Sequence, residues 1–380
     1  MTPALPRAKL SYMDNVLFLI NHAGKAGTER YVRTLAEGAQ KHGFRPFFAY
    51  NEPGPLLEQM RLAGAGCFNV VMRGPFDLRA AGKLADICED LRINVVHTNY
   101  LRENYIAILA KLTRDRGLKV VYTNHFVTPA GAFVKLANFF MTRADHKIIS
   151  VCDAGVRNLI KNGCARKKII VVRNAVNPDA WRPGPDYGGV RAQARLEYGI
   201  GEGDKMFFCA SRFAHDKGHK FLLESLAWLA ARHGDQNLRV VLAGDGPLDA
   251  EIRAGAEAAG LSGIIQFIGY VKDIKPLFYA ADAYLNPSEH EASSFLILEA
   301  LASGLPVIAA DKGGNREIVN EANGCGALVR YGDIEGYASA IQAFRTDSAL
   351  LARASENALK TVERDFALDD MLEKTYASFY

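Results

Sequence analysis

Glu291 and Glu299, separated by seven residues, bracket a run of small and then large apolar side chains, Ala292-Ser293-Ser294-Phe295-Leu296-Ile297-Leu298. Ser293 or Ser294 can cap a helix starting here, because a serine hydroxyl accepts from the first free amides. The apolar stretch predicts a helix buried on most faces. Gly304 ends it, and Pro306 opens a short strand from Val307 to Ala310. A carboxylate in such a setting needs a partner. Sugar hydroxyls supply one, and the free amides of a helix start suit a phosphate. One short stretch thus offers grips for both ends of a sugar phosphate. Taken singly, each glutamate has a plainer reading, as a solvated loop residue or part of an exposed helix stripe. The setting L-I-L-E-A-L-A weakens that reading for Glu299.

Four further clusters carry chemistry. Arg212 and Lys217, in Ser211-Arg212-Phe213-Ala214-His215-Asp216-Lys217-Gly218, could hold a diphosphate, the guanidinium bidentately and the ammonium as a point charge. Gly24-Lys25-Ala26-Gly27-Thr28-Glu29-Arg30 follows the first apolar strand and opens a helix, where glycines let backbone approach an anion. It is not G-x-G-x-x-G, and no acid ends a second strand at dinucleotide spacing, which weighs against a nicotinamide cofactor. His125 ends the strand-like Lys119–Thr123 segment. From Phe133 to Arg173 there are nine Lys or Arg against Asp145 and Asp153, with Phe133, Leu136, Phe139 and Phe140 near helical spacing. That stretch reads either as a face for anionic headgroups or as a basic surface over an ordinary core helix.

The residues around the two glutamates resemble the E-x7-E signature of retaining glycosyltransferases of the two-domain GT-B fold, family 4. The match runs through Glu291, Glu299, Ala300, Ala302, Gly304, Pro306, Val307, Gly313, Gly314, Glu317 and Val319. It departs at Ala292-Ser293-Ser294-Phe295, where G-F-G-L is commonest. Arg212 and Lys217 fall on the family's G-R-x-x-x-x-K-G loop, with Ser211 for the first glycine. The G-D-G-P of Gly244–Pro247 and the F-I-G-Y-V of Phe267–Val271 match two further signposts. The resemblance implies a catalytic set of Arg212, Lys217, Glu291 and His125, the histidine binding the donor sugar rather than serving as a base. It implies donor contacts from Gly27, the amides of Ser293, Ser294 and Phe295, Glu299 at the ribose, and Val271 beside the nucleotide base. No metal or other cofactor is expected, since basic side chains and amides can balance the departing diphosphate.

The elements that must position these groups alternate along the chain. Apolar segments at 16–21, 46–50, 67–71, 95–97, 119–123, 147–151 and 169–172 are separated by amphipathic ones, which predicts a parallel sheet covered on both faces. Asn177 to Pro185, rich in Pro and Gly, reads as a linker. A second alternation follows, ending with a helix at 334–344. The expected organisation is α/β: an acceptor-binding Rossmann-like domain over 1–177 and a donor-binding one over 178–365, facing across a cleft. The resemblance adds that a terminal helix, 366–380, crosses back to the first domain.

Length and composition bound the reading. The 380 residues are too many for one ordinary core, and 49% apolar with 23% charged residues is normal for a globular chain. A net charge of +4 does not argue for nucleic acid. Six cysteines without a C-x-x-C pair suggest neither zinc nor a disulfide framework, so a reducing cytoplasm is expected, with the inner face of the membrane as a peripheral site. No signal peptide or spanning segment is read. The function expected is transfer of a hexose-type sugar from a nucleoside diphosphate sugar, UDP favoured over GDP, to a hydroxyl of a glycan or lipid-linked acceptor. Cell-surface polysaccharide or lipopolysaccharide synthesis is the expected setting. A same-fold epimerase or phosphorylase, and a non-catalytic membrane-docked partner, are the alternatives.

Overall fold

The computed structural model describes residues 13–24, 26–114, 116–234 and 237–380; Lys25 of the glycine-containing loop lies outside them. Seven strands, β1 (Asp14–His22), β2 (Phe44–Glu52), β3 (Gly66–Asn69), β4 (Ile93–Thr98), β5 (Lys119–Asn124), β6 (Lys147–Ser150) and β7 (Ile169–Val171), form one parallel sheet in the order β3-β2-β1-β4-β5-β6-β7. Six more, β8 (Lys205–Ala210), β9 (Leu238–Ala243), β10 (Ile265–Gly269), β11 (Ala283–Asn286), β12 (Val307–Ala310) and β13 (Gly326–Val329), form a second in the order β10-β9-β8-β11-β12-β13. These are two Rossmann-like, doubly wound α/β domains, as the resemblance implied.

The sequence explains why both sheets are buried twice over. In β1 the apolar run is unbroken: Val16, Phe18 and Ile20 enter one core, while Leu17 and Leu19 enter the core on the opposite face. In β8, Phe207 and Cys209 face one way and Met206, Phe208 and Ala210 the other. Period-two side-chain alternation turns a continuous apolar run into two half-cores, which parallel sheets with helices on both faces require.

The chain crosses between sheets twice, side by side. Val176 and Ala367 form a parallel bridge, with Val176 N donating to Phe366 O at 3.1 Å. Beyond it, the helix Leu368–Ala377 returns to the first domain. Met371, Leu372, Tyr376 and Phe379 complete the core beside β1, Tyr376 Oη donates to Leu35 O, and Lys119 Nζ donates to Phe379 O at 3.0 Å.

Several elements differ from expectation. The linker contains a helical turn, Pro178–Trp181, capped by the Asn177 side chain and opened by proline at a position suited to it. The helix Tyr187–Glu197 was not anticipated, because it is anchored by polar grips rather than an apolar stripe. Arg191 donates to the carbonyls of Tyr279, Ala280 and Ala281 and pairs with Asp282 at 3.0 Å, and Arg195 donates to Ala280 O. The helix Ser348–Asp365 was also missed: its buried face is Ala354, Ala358, Thr361 and Val362, mostly too small to mark a hydrophobic period. Finally, Ala132–Met141 is not an ordinary core helix, since its only buried residue is Asn138.

Candidate active site

In the second domain, the loop after β8 carries Arg212 and Lys217. Lys217 Nζ donates to Glu291 Oε2 at 3.0 Å and lies 3.6 Å from Asp216. Two glycines allow this meeting. Gly218 sits at φ +70 where a Cβ would stand 2.0 Å from Pro287 O, and Gly313 sits at φ +55 where one would stand 1.6 Å from Glu291 O. Glu289 N also donates to Asp216 O at 2.9 Å, so the two loops are tied by backbone as well as by charge. Burial works to lower the Lys217 pKa, but Glu291 and Asp216 outweigh it and the net shift is upward, keeping the ammonium charged. Arg212 is 68% exposed, with only a loose 3.9 Å approach to Asp216. Behind this loop, Phe213 N donates to Asp245 O and Gly244 N to Gly269 O, both at 2.7 Å, so the G-D-G-P turn braces it. Val271, just past β10, is half-buried against the domain core.

Ser294, rather than Ser293, caps the helix Phe295–Ala302, its hydroxyl accepting from Ile297 N at 3.4 Å. Ser293 instead offers its carbonyl to Asn174 Nδ2 at 3.0 Å. Glu299 is 1% exposed and forms an ion pair with Arg30 of the first domain. Arg30 also stands 5.1 Å from the centre of the Phe295 ring and 5.9 Å from that of Trp181. Burial, then the neighbouring Arg33, lowers its pKa to about 10, which leaves it charged at neutral pH. Gly27 faces the same ring: a methyl there would lie 3.6 Å from Phe295. The structure therefore brings Gly27, Phe295 and Glu299 together across the cleft.

His125, just past β5, makes its contacts within the first domain. Its Nε2 lies 3.0 Å from Asn99 Oδ1 and its ring packs edge-on to Tyr31 at 4.9 Å. Asn99 is buried and its Nδ2 has no protein partner among the described residues. Below it, His97 Nε2 meets Thr123 Oγ1 at 2.8 Å. Burial pushes both imidazoles down to about 3, so both are neutral over the physiological range and His125 carries no positive charge to the site. Glu103, fully buried at the start of the helix Leu101–Thr113, accepts from Asn21 N at 2.6 Å through Oε1 and leaves Oε2 without a protein partner among the described residues; burial raises its carboxyl to about 7. Glu29 is also buried, with Oε2 unpartnered among the described residues.

Sequence reasoning assigned no role to Arg30, Asn99, Glu103 or Glu317. Arg30 and Glu317 stand inside quoted motifs, so residue type was visible and partner was not. Glu317 reaches across from the second domain and accepts from Asp153 N and Ala154 N, both at 2.9 Å, at the start of the helix Asp153–Lys161. Arg173 Nε lies 3.3 Å from the same carboxylate. Nothing in the sequence pointed to Asn99 or Glu103 beyond their place near strand ends.

Residues 26–180 match the family model described as Glycosyltransferase Family 4, and residues 190–361 match Glycosyl transferases group 1. The chain belongs to glycosyltransferase family 4. This family 4 transferase is 24% identical over 325 residues to the N-acetyl-alpha-D-glucosaminyl L-malate synthase of Bacillus anthracis, covering 82% of this chain and 81% of that one. It is 33% identical over 164 residues to the lipopolysaccharide core biosynthesis mannosyltransferase LpcC of Rhizobium leguminosarum bv. viciae, 42% of this chain and 46% of that one. In fold it is similar to Anabaena HepE in complex with UDP, with a TM-score of 0.84 and 19% identity over 96% of this chain and 99% of that one. The transferase shares that two-domain GT-B architecture, and no helix among its described residues is long and apolar enough to cross a membrane.

Proposed function

We propose that this glycosyltransferase is a retaining enzyme that moves a hexose-type sugar from a nucleoside diphosphate sugar, with UDP favoured, to a hydroxyl of a glycan or lipid-linked acceptor. Its setting would be the cytoplasmic synthesis of cell-surface polysaccharide or lipopolysaccharide. The observation that carries this reading is the Lys217–Glu291 pair at 3.0 Å, locked between two glycine-dependent loops. An ammonium and a carboxylate held side by side suit the phosphate and a hydroxyl of a sugar diphosphate. The relatives act in related chemistry: one is named a lipopolysaccharide core mannosyltransferase, and the similar HepE structure holds UDP.

In the proposed reaction the bond between the anomeric carbon and the diphosphate oxygen breaks, and the diphosphate takes the bonding electrons. Lys217, Arg212 and the amides at the Ser294-capped helix start balance that charge, so no metal is required. The acceptor oxygen attacks from the same face, and its proton passes to the leaving phosphate. Glu291 accepts from sugar hydroxyls, and neutral His125, oriented by Asn99, holds another. Glu299 has its Oε1 toward Arg30 and offers its second oxygen to the ribose; Val271 lines the base.

A thermal-shift series with UDP, GDP and ADP and their sugars, with and without EDTA, tests this. A ligand that binds only the folded protein adds about 2.7 kcal/mol of stability at a hundredfold excess over its Kd. A shift confined to uridine nucleotides, indifferent to EDTA and lost in Lys217→Ala, is expected. A shift that requires a divalent ion would overturn the metal-free site, and one confined to guanosine nucleotides would overturn the donor.

A further inference from the structure

The helix Ala132–Met141 has its polarity reversed. Its sequence, A-F-V-K-L-A-N-F-F-M, buries its amide side chain while Lys135 stays exposed: Asn138 Oδ1 accepts from Tyr105 Oη at 2.7 Å and Asn138 Nδ2 donates to Asn162 O at 2.8 Å. Its large apolar side chains face outward, with Phe133 70%, Leu136 58%, Phe139 47% and Phe140 65% exposed. Phe76 extends the patch, lying edge-on to Phe133 at 6.2 Å. Single exposed apolar residues need no explanation, but a contiguous set on one helix, fixed by buried hydrogen bonds, marks a docking face.

Charge decides what docks. Of the two acids between Phe133 and Arg173, Asp145 is buried and Asp153 pairs with Arg173 at the domain boundary. Lys135, Arg143, Arg157, Lys161, Arg166 and Lys167 are all exposed. Arg143 stands 3.6 Å over the Phe139 ring, and Gly163 at φ +88 lets the basic 161–168 segment lie against the helix backbone at Lys135 O. A second copy of this chain would oppose like charges, and the centres of protein interfaces are depleted in lysine. Aromatic side chains ringed by Lys and Arg match an anionic lipid surface, the rings entering at headgroup depth and the cations meeting phosphates.

We propose that this face docks the protein on a membrane surface rich in anionic lipid, with Phe133, Leu136 and Phe140 entering the headgroup layer. The face is joined to the cleft: the chain runs from His125 through residues 126–131 into the helix, and that loop is pinned where Thr128 O accepts from Asn158 and Asn162. Docking itself is independent of the donor chemistry; its use, presenting a lipid-linked acceptor to the first-domain wall, rests on the proposed function.

The test is co-sedimentation of the whole protein with phosphatidylcholine vesicles, with and without phosphatidylglycerol. Binding is expected only with phosphatidylglycerol, and to weaken in salt. A variant with both Phe133→Ser and Phe140→Ser should lose about tenfold or more in partitioning. A variant with Lys161→Glu and Lys167→Glu should lose about fivefold for each basic charge removed. Both should keep the parent's UDP-induced thermal shift, so that failure of docking and failure of the donor reading separate. Docking is overturned by absence of vesicle binding, by equal binding to both vesicle types, or by serine variants that bind as the parent does. It is also overturned if the serine variants convert a dimer to a monomer in light scattering while no vesicle binding is seen.

Discussion

The two walls of the cleft are built on different principles. On the second-domain wall, ionic groups are satisfied by one another and by backbone: Lys217 by Glu291 and Asp216, and the helix start by Ser294. On the first-domain wall, buried polar atoms stand without protein partners among the described residues: Asn99 Nδ2, Glu29 Oε2, Glu103 Oε2 and His97 Nδ1, while the second domain leaves His219 Nδ1 and Asn315 Oδ1 so. Buried polar groups are normally paired, so a concentration of unpaired ones marks where a ligand's own polar groups are wanted. The second-domain ion pair is thus formed before any substrate arrives, while several first-domain polar atoms are left for what binds there. Arg30 joins the two, a first-domain cation pairing with the second domain's Glu299.

That contrast can be broken at each wall, with effects of decreasing size. Lys217→Ala should reduce kcat on the order of a hundredfold to a thousandfold, as loss of a preorganised charge at the leaving group does, and should also cost about 1–3 kcal/mol of stability, read as a lower melting temperature, because Glu291 loses its cation. A rate within tenfold of the parent in a steady-state assay would show that the second-domain wall is not the chemical one. Arg30→Ala leaves the buried Glu299 without its cation and should cost about 1–3 kcal/mol, read as a lower melting temperature, with nucleotide binding weakened alongside. If nucleotide binding strengthened instead, Arg30 would be a competitor for the ribose site rather than its support.

Glu103→Gln separates the walls by pH. With a folded pKa of about 7 against an ordinary 4.5, the native state binds more protons than the unfolded state between those values, so this carboxyl costs stability as pH rises through that window. Glutamine keeps the acceptor for Asn21 N without the charge. Relative to the parent, the variant should gain on the order of 1–3 kcal/mol from pH 4.5 to pH 8, measured by urea denaturation. A pH-independent difference would mean that Glu103 finds a partner when ionised. The smallest effect is expected at the interdomain contact: Glu317→Ala removes the acceptor for two amides at a helix start and should cost about 1 kcal/mol, as helix caps do.

The same division governs what the sequence could reveal. The second-domain site was legible because its chemistry is local: Glu291 and Glu299 sit on one loop and helix, and Arg212 and Lys217 on one turn. Short spacing there fixes geometry. The parallel sheets were legible from continuous apolar runs such as Val16–Ile20. On the first-domain wall Gly27 and His125 were visible but their partners were not, because Asn99 and His125 meet only through the register of β4 and β5, and Arg30 meets Glu299 only once two domains are placed. Helices held by arginine–carbonyl grips, as at Arg191, or by alanine faces, as at Ala354 and Ala358, lack the large apolar period that betrays a helix. The reversed helix at Ala132–Met141 misled for the opposite reason: its period was clear, but period alone does not say which medium the apolar side faces.

The return of the helix Leu368–Ala377 also sets an order of assembly. The first domain's core includes Met371, Leu372, Tyr376 and Phe379, which the ribosome delivers only after the whole second domain. The domain begun first is therefore closed last. During synthesis its gap beside β1 and the helix Gly27–Gly38 stays open, a bare apolar groove waiting for the helix Leu368–Ala377, while the second domain, whose core is complete by Phe366, can already fold.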